Sequence, residues 1–61
     1  MIAGQIVTVT KPEVNFGLRD AKVRVGMVNT YSFLGLITEV NPESQHFVGD
    51  VVVLQKSEVS E

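Results

Sequence analysis

Tyr31-Ser32-Phe33-Leu34-Gly35-Leu36-Ile37-Thr38-Glu39-Val40 is the stretch on which the reading of this chain turns. Its aromatic, branched and aliphatic residues follow no helical spacing, so it reads as a β-strand. Both parities are apolar, whereas a sheet with one face in water shows a single apolar parity. One face must therefore pack on the domain's own core and the other must be covered by something else. What covers the second face is the functional question.

The neighbours of this strand assign its faces. Upstream, Lys22–Val28 alternates, with Val23, Val25 and Met27 on one side and Lys22, Arg24 and Gly26 on the other. Asn29-Thr30 reads as a two-residue hairpin loop, because Asn tolerates the left-handed conformation such loops require. That loop pairs Val25 with Leu34 and Val23 with Leu36, which places Leu34, Leu36 and Val40 in the core. It sets Lys22, Arg24, Tyr31, Phe33 and Ile37 on the outer face, with Phe33 covering the bare backbone of Gly26.

Downstream, Asn41-Pro42-Glu43-Ser44 reads as a turn with proline at its second position. Pairing Val40 with Gln45 across it sets Val48 opposite Ile37, His46 opposite Glu39 and Val52 opposite Phe33. Gly49-Asp50 interrupts this run, as a turn or bulge before a strand over Val51–Lys56. Val51-Val52-Val53-Leu54 has no polar parity and reads as buried on both sides. At the other end of the chain, Ile2–Thr10 has strand chemistry with mixed parity, stopped by Pro12. Val14, Phe16 and Leu18 in the following loop are expected to cap the open end of the barrel, with a partner-contacting arm as the alternative.

The expected fold is all-β: a small antiparallel barrel of five (or four) strands, SH3-like or OB-like. Residues 1–56 form a single domain and residues 57–61 a polar C-terminal tail. Glycines at 4, 26, 35 and 49 fall where sharp bends let a short sheet close. No helix is expected beyond a single turn within 13–20.

A chain of 61 residues holds one domain. Such a domain buries only about 60% of its unfolded surface and is marginally stable alone. There is no cysteine for a disulfide or a zinc site, yet 44% of the residues are hydrophobic. The apolar supply points to oligomerisation or docking on a larger assembly as the missing support. The lack of cysteine fits a reducing compartment. No basic segment precedes an apolar run, and no apolar stretch approaches about 18 residues. A cytoplasmic protein with no membrane association is expected, either cellular or part of a virus particle. Net charge is −2, which exerts no general pull on nucleic acid. Lys11, Arg19, Lys22 and Arg24 against Glu13 and Asp20 leave residues 1–24 at +2, whereas residues 25–61 stand at −4. That dipolar split is consistent with head-to-tail contact between like subunits.

Catalytic chemistry finds little to work with. A nucleophile needs a base and an orienting group within reach, and the chain has one histidine, His46, read as a surface strand residue beside Glu39. The acidic residues are dispersed without metal-ligand spacing. No glycine-rich loop opens a helix to hold phosphate. The expectation is therefore a non-enzymatic module with no catalytic residue, cofactor or metal. Val28, Tyr31, Phe33, Ile37, Val48 and Val52 would form one apolar patch, of the composition that makes an interface core. The alternative is a nucleic-acid-binding barrel in which Lys22 and Arg24 run beside the stacking aromatics Tyr31 and Phe33.

Gly4-Gln5-Ile6-Val7, then Leu18, Lys22 and Val25, then Gly49-Asp50-Val51-Val52-Val53-Leu54 resemble the ends of the bacterial microcompartment vertex family. The resemblance implies an OB-like protein forming pentamers that close shell corners. It is confined to generic β residues, and the family's glycine-rich segment before its last strand is here reduced to Val48-Gly49-Asp50. The working expectation remains an interaction module of unassigned partner and symmetry.

Overall fold

The computed structural model describes all residues from Met1 to Glu61. Five strands, β1 (Ile6–Val9), β2 (Lys22–Val28), β3 (Ser32–Glu39), β4 (Val51–Gln55) and β5 (Val59–Ser60), form one antiparallel sheet in the order β4-β3-β2-β1-β5. Single 3-10 turns occur at Phe16–Leu18 and Lys56–Glu58, and there is no α-helix. No helix is long and apolar enough to cross a membrane. The all-β antiparallel expectation holds, but the sheet is not closed into a barrel. Along β4, side chains occupy the edge where a closing strand would pair: Asn15 Nδ2 donates to the Val53 carbonyl at 3.2 Å, and the Gln55 N–H donates to Glu58 Oε2 at 2.9 Å.

The hairpin at the centre corrects the expected register. The Asn29 N–H donates to the Ser32 carbonyl at 2.8 Å, so the loop residues are Thr30 and Tyr31 rather than Asn29 and Thr30. Val28 then pairs with Phe33. This displacement is two residues in the pairing and preserves every facing. The next irregularity does not. Between the Val28–Phe33 and Val25–Gly35 pairs, Gly26 and Met27 stand against Leu34 alone, a bulge of one extra residue. An odd shift turns the remainder of β2 over relative to β3. Val23 now pairs with Ile37 and Val25 with Gly35, while Arg24 pairs with Leu36.

The core consequently forms on the opposite face of β3 from the expected one. Phe33, Gly35 and Ile37 are buried with Val23, Val25, Val7, Val9 and Leu54. Leu34 and Leu36 lie on the outer face. Gly35 is required by this packing. A Cβ there would sit 3.1 Å from Val23 Cβ and 3.4 Å from a ring carbon of Phe33. Phe33 therefore covers Gly35 of its own strand, not Gly26.

β4 also departs from expectation. Its pairs are Ser32–Gln55, Phe33–Leu54, Leu34–Val53, Gly35–Val52 and Leu36–Val51, and residues 45–50 are loop rather than strand. The Gly49 N–H donates to the Ile37 carbonyl, and the Ile37 N–H to the Asp50 carbonyl, both at 2.9 Å, which lets the chain leave β3 and return two residues later than a tight turn would. Leu54 is buried and Val52 packs on the core, but Val51 and Val53 face solvent. Val51–Leu54 is thus one-sided, because nothing covers the outer face.

Residues 57–61 are not a polar tail. Val59–Ser60 pairs with Thr8–Val9 as β5, and the Glu58 side chain is completely buried. Glu58 Oε1 accepts the N–H groups of Glu13 (2.8 Å) and Val14 (3.2 Å), and Oε2 that of Gln55. Its main-chain carbonyl accepts the N–H groups of Thr10 (2.9 Å) and Lys11 (3.0 Å). Burial pushes the Glu58 carboxyl pKa up, but backbone donors from Gln55, Glu13, Val14 and Asn15 outweigh it and hold the pKa below the ordinary 4.5. Ser57 and Glu58 carry no apolar signal, so this anchor is invisible to hydrophobic patterning. The spacing Gln55-x-x-Glu58, a capping box here, is its only local trace.

Two outcomes test this architecture. Gly35→Ala forces Val23 or Phe33 aside and lowers unfolding free energy by about 1–3 kcal/mol, read as an earlier urea midpoint at unchanged slope. Glu58→Gln leaves buried N–H donors against an amide and costs about 2–3 kcal/mol at neutral pH. Because the folded pKa of Glu58 is depressed, its stabilisation is complete above the unfolded value near 4.5 and is lost as pH falls through the folded one. The gap between wild type and Glu58→Gln in denaturant titrations therefore narrows in acid. A gap independent of pH contradicts the charged anchor.

Candidate functional site

The outer face of the sheet carries the chain's least usual feature. Ile6, Arg24, Leu36 and Val51 are register partners in one row across four strands. Leu34 and Val53 form the next row, flanked by the Gly26–Met27 bulge. Ile6, Met27, Leu36, Val51 and Val53 are all exposed, Met27 by 67% and Val51 by 63%. Loose folding is not the cause. The accessible surface is 3937 Å² for 6.7 kDa, and the size law for folded monomers gives about 3900 Å². The molecule buries a normal amount of surface and leaves apolar side chains in what remains.

A groove of about 310 Å³ runs through this face between β2 and β4, walled by Arg24, Met27, Leu34, Leu36 and Val51. Val25, Gly26 and Gly35 complete its lining. A Cβ on Gly26 would lie 3.3 Å from the Leu34 carbonyl, so glycine keeps the groove open. One charge stands in it. Lys22 on the neighbouring row pairs with Glu39 at 3.5 Å, whereas Arg24 takes part in no ion pair.

A second apolar feature lies on the loops. Val14 and Phe16, before β2, and Phe47 and Val48, before β4, are each more than 60% exposed. Their loops are tied together: Ser44 Oγ donates to the Gly17 carbonyl at 2.7 Å, and Asn41 Nδ2 to the Arg19 carbonyl at 3.0 Å. Of the expected cap only Leu18 is buried. His46 lies in the loop against Gly17, not on a strand beside Glu39.

The expected interface residues separate. Phe33 and Ile37 are buried in the core, and Val52 packs against the core from the same side. Val28 is 36% exposed and Tyr31 79%, at the hairpin end of β3. Val48 is exposed beyond its other end. These six do not form one patch. The expected nucleic-acid platform separates too, since Phe33 is inside while Arg24 lies on the outer face and Lys22 is paired with Glu39. The bulge explains both corrections, because it moves Phe33 and Ile37 to the side of Val23 and Val25. Gly26 was the available signal, since a glycine inside an alternating strand marks a bulge or a close backbone approach.

No protein-family model, curated protein sequence or solved structure matches the chain.

The exchange of faces has a direct consequence at two aromatic residues. Phe33→Ala costs about 3–5 kcal/mol of stability, whereas Tyr31→Ala changes it by less than about 0.5 kcal/mol. Thermal or urea unfolding of the two variants checks this. Similar midpoints would return Phe33 to the surface.

Proposed function

We propose that this chain is a non-enzymatic interaction module that assembles with protein through the outer face of its sheet. The observation that carries the reading is the groove beside β2, β3 and β4, whose walls are apolar except for Arg24. An exposed row of aliphatic side chains with a single charge has the composition of an interface core. Contiguous exposed apolar side chains rimmed by polar ones are a mark of interaction sites. The small domain size argues the same way, because a second surface to pack on supplements a core of nine buried hydrophobic residues.

We infer SH3-like rather than OB-like connectivity. A strand order with β1 between β2 and β5, and a single 3-10 turn joining β4 to β5, supports SH3-like over OB-like connectivity. The cysteine-free composition supports a cytoplasmic setting. The nucleic-acid reading has no comparable support once Phe33 is in the core.

Sedimentation or light scattering tests the proposal. Wild-type protein is expected to exceed 6.7 kDa at micromolar concentration or to co-sediment with its partner assembly. Met27→Glu changes an exposed groove wall, so far-UV circular dichroism stays the same while association is lost. Association unaffected by Met27→Glu would remove the outer face from the interface.

A further inference from the structure

The groove asks for a partner with an apolar projection and an adjacent carboxylate, since its walls are aliphatic and its one charge is an unpaired arginine. The chain itself presents such an object. Phe47-Val48-Gly49-Asp50 is a turn closed by the Asp50 N–H donating to the Phe47 carbonyl at 3.1 Å. Gly49 takes φ +97°, the left-handed conformation that a type II turn needs at its third residue. Asp50 Oδ2 accepts the Phe47 N–H at 3.3 Å, which holds the carboxylate beside the same turn. The paired bonds of Gly49 and Asp50 to Ile37 mount the turn on β3. Phe47 and Val48 nevertheless stand 70% and 63% exposed.

We propose that the outer-face groove binds this turn of a second copy of the chain, with Phe47 and Val48 of one subunit entering between Met27, Leu36 and Val51 of the other and Asp50 meeting Arg24. The inference rests on the outer-face reading above and adds the identity of the occupant. Charge favours it at two scales. Arg24 lacks a carboxylate, and Asp50 forms no ion pair within its own chain. The part of the chain that holds Arg24 is net positive, and the part that holds the turn is net negative. The backbone of the turn is hydrogen-bonded within the single chain and the groove lies on paired strands, which limits the backbone ordering that association requires. Asp50 directly precedes Val51, a groove wall, which puts projection and receptor side by side on the sheet. That adjacency suits a two-fold pair in which each turn enters the other groove. A standard interface of about 800 Å² per partner would cover roughly a fifth of the 3937 Å² surface.

Charge exchange tests this. Arg24→Glu and Asp50→Arg are each expected to weaken self-association about tenfold to a hundredfold by analytical ultracentrifugation, with unchanged circular dichroism. The double variant Arg24→Glu/Asp50→Arg recovers association, and an equimolar mixture of the two single variants associates better than either alone. Phe47→Ser weakens association without restoring it in any charge background. Loss of association in Met27→Glu but not in Arg24→Glu or Asp50→Arg overturns this occupant and leaves the outer-face reading standing. A chain that stays at 6.7 kDa up to millimolar concentration overturns it as well. Binding of single-stranded oligonucleotide that Arg24→Glu abolishes, with no self-association, replaces it with the nucleic-acid alternative.

Discussion

A buried carboxylate holds the two ends of this chain together. Glu58 accepts five backbone N–H groups through its side chain and its carbonyl, four of them from residues 10–14 and one from Gln55. Charged acceptors make stronger hydrogen bonds than neutral ones, and buried donors without an acceptor are costly. No cation compensates Glu58; oriented backbone dipoles do that instead. The anchor matters more here than in a larger protein, because only nine hydrophobic residues form the core. It fixes the loop after β1, seats the 3-10 turn after β4 and so delivers β5 to β1.

The same contacts explain why the sheet stays open. β5 is two residues long and is committed to β1. Across the gap, Asn15 and Glu58 meet the outward backbone groups of Val53 and Gln55. An uncovered edge strand is a template for unwanted pairing, and covering it with a loop is one of the ordinary protections. Polar side chains thus meet the Val53 carbonyl and the Gln55 N–H on this edge, while the outer face keeps its aliphatic row.

That face exists because of one extra residue. Gly26 and Met27 opposite Leu34 shift β2 by an odd number against β3. Val23 and Val25 join Phe33 and Ile37 inside, and Arg24 emerges among Leu36, Ile6 and Val51. Gly26, beside the Leu34 carbonyl, keeps the outer groove open, while Gly35 makes room for Val23 and Phe33 on the inner face. Packing inside and shape outside are therefore two consequences of the same irregularity.

Local chemistry in the sequence determined the all-β class, the strands around 23–28 and 32–39, the placement of a tight turn between them, and the two apolar parities of Tyr31–Val40. Each follows from residues close together in the chain: β-branched runs, alternation and turn formers. The tertiary structure decided which parity of β3 lies inside, where β4 begins, that Ser57–Glu61 belongs to the fold, and that Phe33 leaves the face on which Arg24 stands. Facing depends on an integer, the number of residues in a bulge, and one unit reverses it without changing composition or periodicity. Glu58 reaches donors 44 and 45 residues away, a relation that no local pattern encodes. The apolar double face of β3 was legible from the start, and only the register could say which half of it stays exposed.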